Sequence, residues 1–317
     1  MAENPCTLLE AIKYFADPDV SHQTLVELRW PNGVCCPTCG RIDVRFIASR
    51  RLWECKEKHP KKQFSARVGT LFEDSPLGLG IWFAAIWQIA NCKNGISSYE
   101  FARAAGITQK SAWFVLHRVR RAMEAGSIEL DGTIEADETY LGGAAKNMHQ
   151  RSKRRKETFG PTAGKQMVVG ILRRKTGKRP SKVKATHVPD TKKATLQRAV
   201  RETAAPGSTL YTDNNAAYDG LASEYQHDVI NHALEFVRGA VHTNGIENFW
   251  SLFKRTVKGT YISVEPAHLQ AYLAEQSFRF NERTDDDFGR FRKVLGSIFG
   301  KRLTYKELTD LEKTASA

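Results

Sequence analysis

Apolar residues recur along this chain in two rhythms, and the switch between them divides it. Leu77, Ile81, Trp82, Ala85, Ile86 and Ile89 return every three to four positions, which predicts a helix. Ser97-Ser98-Tyr99-Glu100 has the form of a capped helix start. Alanines and then Gly106 follow, and Gln109-Lys110-Ser111-Ala112-Trp113 opens a further helix running through His117, Arg118, Arg120 and Arg121. Two short helices about a Gly turn, the second opened by polar and basic residues, predict a helix-turn-helix over 76–126. From residue 131 the period shortens. DGTIEADETYLGG predicts a strand ending at Asp137, QMVVGILRRK a second and SKVKATHVPD a third. ATLQRAVRETA predicts a helix, GSTLYTD a strand ending at Asp213, and HDVINH a strand after a short helical piece. A last helix runs from about Asn244 to Val257 and carries Glu247.

That order predicts an α/β domain, a mixed sheet flanked by helices as in the ribonuclease-H-like fold. Two of its strands end in acids, and neighbouring strands would bring those ends together. Glu247 starts a helix able to pack over them. Converging carboxylates repel unless a cation neutralises them. All-oxygen donors fit two Mg²⁺ or Mn²⁺ ions, which can act on a phosphodiester. Lys254 lies two helical turns after Glu247 on nearly the same face. It is a candidate phosphate clamp, with Arg255 and Lys258 nearby. Glu138, Asp219 and Glu235 are rival acids. Glu138 is set aside because a continuing strand turns it to the face opposite Asp137. Phe249 and Trp250 read as core packing rather than base stackers.

Six cysteines are present, and four of them crowd into residues 35–55. The acidic N-terminal stretch has no signal-peptide pattern, so metal binding is expected rather than disulfides. Cys36-Pro37-Thr38-Cys39-Gly40 has the spacing of a zinc knuckle, and Cys55 and His59 complete a tetrahedral donor set. VRFIAS and RRLWEC between the half-sites alternate as short strands, giving a zinc ribbon. Lys58 stands where a ribbon usually has its fourth Cys, so His59 takes that role, with Cys35 as the alternative donor. Cys6 and Cys92 read as ordinary thiols.

Charge then narrows the partner. Among 317 residues, 48 Lys and Arg face 35 Asp and Glu, a formal excess of +13. Residues 146–184 hold fourteen Lys or Arg against one acid, Glu157, so this one segment accounts for the whole excess. Such a stretch expects a polyanion. Lys153, Arg154, Arg155, Lys156, Arg173, Arg174 and Lys175 are its candidate phosphate contacts. Mean hydropathy is −0.45, and no apolar run approaches the roughly 18 residues of a membrane span.

DETYLGG, LYTDNNAAY, VHTNGIENFWSLFKRTVKGTY and HLQAYLAEQSFRFNER, in this order, resemble the motifs of bacterial insertion-sequence transposases of the DDE class. The resembling group has an N-terminal zinc ribbon and a Lys seven residues after the third acid. The resemblance implies that Asp137, Asp213 and Glu247 are the metal-binding triad and Lys254 the accompanying Lys. It makes His242, Thr243 and Asn244 the motif before the third acid. It places His268, Arg279, Phe280 and Asn281 in a C-terminal helix with a structural or DNA-contacting role. The implied partners are the terminal inverted repeats of the element and target DNA, bound by a homo-oligomer in the cytoplasm at the nucleoid. Four regions are expected: N-terminal helices and ribbon over 1–75, the helix-turn-helix over 76–126, the catalytic domain over 127–262, and C-terminal helices and tail over 263–317. Two other functions stay open, a catalytically inactive DNA-binding regulator and a ribonuclease-H-like nuclease or resolvase.

Overall fold

Thr7 and Glu10 form a reciprocal capping box, and helix α1 (Leu8–Tyr14) starts between them. The computed structural model describes residues 4–142, 164–230 and 241–316, with side chains through 310 in the last stretch. Helix α2 (Pro18–Arg29) follows. The three-stranded ribbon comes next: β1 (Val44–Ile47), β2 (Leu52–Cys55) and β3 (Gln63–Phe64), all antiparallel. Helix α3 (Leu79–Asn91) buries Trp82, Ala85, Ile86 and Ile89 at the expected spacing. Ser97 and Glu100 box the start of α4 (Ser98–Ala105), Gly106 closes it in a left-handed turn, and Thr108 caps α5 (Gln109–Met123). Arg118 and Arg120 of α5 turn inward, and Arg118 donates to the carbonyls of Leu303 and Glu73. These elements and residues Asp285–Ala317 form one compact unit; Ala125–Thr284 form a second.

The second unit is built on a five-stranded sheet: β4 (Thr133–Leu141), β5 (Gln166–Arg173), β6 (Lys182–Val188), β7 (Thr209–Asp213) and β8 (Gln226–Ile230). Its order is β6-β5-β4-β7-β8, with β5 antiparallel to both neighbours and β4, β7 and β8 parallel. β5 is apolar almost throughout because helices cover both its faces. On one face Ile134, Ala136, Val169 and Ile171 pack with Leu196 and Val200 of α6 (Lys193–Arg201). On the other, Val168, Leu172 and Val183 meet α7 (Asn244–Thr256) through Ile246, Phe249, Trp250 and Phe253. That stripe follows an i, i+3, i+4, i+7 spacing.

Helix α8 (Leu269–Asn281) also falls within this unit. The reason is its bonding to β6, an edge strand. Asn281 accepts from the backbone N–H of Val183 and donates to its carbonyl, and Gln270 accepts from the N–H of His187. β4 differs from expectation in not ending at Asp137. Its pairing with β5 continues to Leu141, while its parallel ladder with β7 stops at Ala136 and Thr212.

Candidate functional site

The knuckle turns at Gly40, whose φ of +75° suits a residue without a Cβ. Its N–H returns to the carbonyl of Cys36, and Cys36 N–H reaches Arg41 O. Cys55 ends β2, and His59 lies in the turn beyond. Donor atoms of Cys36, Cys39, Cys55 and His59 all lie within 4.8 Å of one another. Around a tetrahedral Zn²⁺ with bonds of about 2.3 Å to sulfur and 2.0–2.1 Å to nitrogen, S···S is about 3.8 Å and S···N about 3.5 Å. Cys39 Sγ is 3.7 Å from Cys55 Sγ, and Cys36 Sγ is 3.5 Å from His59 Nε2. His59 Nδ1 lies 2.7 Å from the Pro60 carbonyl, which can only accept, so Nδ1 carries the proton and Nε2 keeps its lone pair toward the sulfurs. Burial raises the Cys36 thiol, but the backbone N–H groups of Cys39 and Thr38, with hydrogen bonds from the Cys39 and Cys55 thiols, together more than offset it and bring it down to about 7. The four residues fit zinc.

The second cluster lies where β4 and β7 stop pairing. One residue past Ala136 and Thr212 stand Asp137 and Asp213, side by side at the carboxyl end of the parallel ladder. Donor oxygens of Asp137, Glu138 and Asp213 lie within 4.8 Å of one another. Burial, then the charges of Glu138 and Asp213, push the Asp137 carboxyl up to about 7. Two donors oppose this: Trp250 Nε1 gives its proton to Asp137 Oδ2 at 3.0 Å, and the backbone N–H of Glu138 also bonds to the carboxyl. The indole reaches there because Gly170 lies opposite Asp137 on β5 and leaves room for the ring. Glu138, on the other face, accepts from Asn215 Nδ2 at 2.5 Å and Tyr218 OH at 2.9 Å. Oxygen donors at this spacing, crowded enough to hold a proton near neutrality, suit a hard divalent cation.

Sequence reasoning weighed Glu138 and set it aside, read Trp250 as core packing only, and did not single out Asn215 and Tyr218. The last two were signalled by sitting just after Asp213 in LYTDNNAAY. Glu138 does face away from Asp137, yet it joins the cluster where the strand edge opens. Glu247 lies in the first turn of α7, where its Oε1 accepts from Thr243 Oγ1 at 2.8 Å. It stands outside the 4.8 Å group. Lys254 is half-buried on α7, and Arg255, Lys258 and Lys175 are exposed. Arg173 and Arg174 are both engaged by protein acceptors. Arg173 is buried, donates to the Pro180 carbonyl and pairs with Asp131. Arg174 pairs with buried Glu135 at 2.5 Å. Lys153, Arg154, Arg155 and Lys156 lie outside the described residues. No helix among the described residues is long and apolar enough to cross a membrane.

A model of the ISXO2-like transposase domain matches residues 129–281, and one of the transposase zinc-ribbon domain matches residues 18–59. An uncharacterized protein in transposable element ISH50 of Halobacterium salinarum is 29% identical over 259 residues, 77% of this chain and 84% of that one. An uncharacterized transposase-like protein of Haemophilus influenzae is 39% identical over 101 residues, 32% of this chain and 81% of that one. Among solved structures, a chain of the simian T-cell lymphotropic virus intasome in complex with PP2A regulatory subunit B56 gamma overlaps 61% of this chain. The overlap takes in 65% of that chain, just under two thirds, at 14% identity and a TM-score of 0.28, too low to bear on the fold. By the two family matches and the shared length of its relatives, the chain belongs to the ISXO2-like insertion-sequence transposases with an N-terminal zinc ribbon.

Proposed function

We propose that this chain is a DNA transposase that binds the ends of its insertion sequence, cuts the phosphodiester there in a metal-dependent step, and joins the freed 3′ end to target DNA. The observation that carries this reading is the meeting of Asp137 and Asp213 at the carboxyl ends of adjacent parallel strands, inside the stretch matched by the transposase domain. The mixed sheet is read as ribonuclease-H-like. Asp137, Asp213 and Glu247 are the ligands for two Mg²⁺ or Mn²⁺ ions. When bound, such ions activate the attacking oxygen and stabilise the leaving one. The crowding that holds a proton on Asp137 supports this, since a cation relieves it. Trp250 keeps one Asp137 oxygen oriented by its indole bond. Lys254 faces DNA phosphate from two turns along α7, with Arg255, Lys258, Lys175 and the 153–156 cluster as further phosphate contacts.

The ribbon is assigned a structural Zn²⁺ on Cys36, Cys39, Cys55 and His59. With α4 and α5 as a helix-turn-helix it reads the element ends. DNA assembles the chain as a homo-oligomer in the bacterial cytoplasm, at the nucleoid. The test is cleavage of labelled element-end DNA in Mg²⁺, followed by transfer into plasmid DNA. Asp137→Asn, Asp213→Asn and Glu247→Gln each abolish cleavage while end binding stays near wild type. Full cleavage by any of the three overturns the assignment. Cutting without transfer indicates a nuclease, and binding without cutting a regulator.

A further inference from the structure

Glu135 lies two residues before Asp137 on the same face of β4 and is 1% exposed. A carboxylate this enclosed persists only with partners. Both of its oxygens are engaged. Oε1 accepts from Arg174 Nε at 2.5 Å, and Oε2 accepts from the backbone N–H of Ile246 at 2.8 Å, in the first turn of α7. That N–H is among those a helix start leaves without an intrahelical acceptor, and the helix dipole favours negative charge there. The far end of Arg174 donates to the His242 carbonyl at 2.5 Å and lies 2.8 Å from its Nδ1. Its guanidinium also rests 4.6 Å over the Tyr211 ring of β7. Gly245 presses on the same group: a Cβ there would meet Glu135 Oε2 at 2.8 Å and Oε1 at 3.1 Å. One carboxylate thus takes the first turn of α7 by its backbone, and through Arg174 takes the segment leading into it.

Glu135 is too enclosed to touch DNA or an ion. We propose that Glu135, strapped by Arg174, is the positioning residue for Glu247. It fixes where the first turn of α7 stands over β4, and so sets the reach of the third carboxylate toward Asp137 and Asp213. Ile246 precedes Glu247 directly, so a shift of its N–H is a shift of Glu247. The inference rests on the reading of Asp137, Asp213 and Glu247 as metal-binding triad.

The experiment is Mn²⁺ titration of the full chain without DNA, followed by electron paramagnetic resonance, with circular dichroism confirming folded protein. Glu247→Gln weakens Mn²⁺ binding, and Glu135→Gln weakens it by roughly tenfold although it offers no ligand. The double variant binds no more weakly than Glu247→Gln alone, because both changes remove one contact. Effects that multiply in the double variant overturn the proposal, as does wild-type affinity in Glu135→Gln beside weakened Glu247→Gln. Wild-type affinity in Glu247→Gln overturns the triad reading and the proposal with it. Should Glu135→Gln fail to fold, Gly245→Ala displaces the same turn with no change of charge. It shows the same weakening, and wild-type affinity there overturns the proposal.

Discussion

Gly170→Ala adds one methyl group where α7 lies against β5. The new Cβ would meet Trp250 Cζ2 at 2.5 Å, Ile246 Cδ1 at 2.7 Å and Trp250 Cη2 at 2.8 Å. Carbon atoms rest at about 3.5–4.0 Å, so roughly 1 Å must be found. β5 is bonded to strands on both sides and cannot retreat, so the indole moves. Overpacking of this kind costs about 1–3 kcal/mol. Losing the indole bond to a buried carboxylate adds about 1.5–3 kcal/mol. Ala in a strand returns about 0.5–1 kcal/mol relative to Gly. The net loss is about 1.5–5.5 kcal/mol, which lowers the melting temperature of a unit this size by roughly 3–20 °C. Scanning calorimetry reads the shift, and near-ultraviolet circular dichroism reads the displaced tryptophan. In a Trp250→Leu background the same methyl fills the space the ring has left, so Gly170→Ala there is neutral or stabilising. Melting within about 1 °C of wild type, with an unchanged tryptophan signal, would refute the reasoning.

Two further outcomes follow from the two clusters. Folding raises the Asp137 carboxyl from 3.8 to about 7, mainly by burial and then by Glu138 and Asp213. The folded state therefore holds the extra proton between those values, and stability falls as pH rises from about 4 to about 7, then levels. Asp137→Asn removes that slope, worth up to about 4 kcal/mol, and Mg²⁺ raises the melting temperature more at pH 8 than at pH 5. Equal Mg²⁺ shifts at the two pH values would contradict this. In the ribbon, His59→Ala releases zinc to a chelator concentration that wild type withstands, and His59→Cys retains it. Metal analysis showing equal retention in His59→Ala would remove His59 from the ligand set.

Local pattern made much of this legible, and tertiary contact hid the rest. The ligand spacing from Cys36 to His59 could be read directly, because a knuckle and a hairpin determine it within two dozen residues. Asp137 and Asp213 were readable as acids on neighbouring strands. The end of β4 was not, because one neighbour stops at Thr212 while the other pairs on to Leu141, and alternation records no partner. Arg173 and Arg174 entered the count of positive charge as if solvated. Their acids, Asp131 and Glu135, lie about forty residues earlier and meet them only through the antiparallel pairing of β4 with β5. Trp250 was correctly assigned to the core, but its bond to Asp137 depends on the missing side chain of Gly170, which no helical periodicity reveals.

The amide side chains of α8 carry a consequence for synthesis of the chain. All five strands of the sheet are complete once residue 230 has been made, yet the groups that close the β6 edge, Gln270 and Asn281, come forty and more residues later. Until then the edge offers the backbone N–H and carbonyl of Val183 to any extended segment nearby. A product that ends between residues 248 and 269 contains both Asp137 and Glu247 and still lacks its edge cover. Such fragments are expected to self-associate through β6, which size-exclusion chromatography would show, whereas in the full chain two side chains from a helix cover that edge.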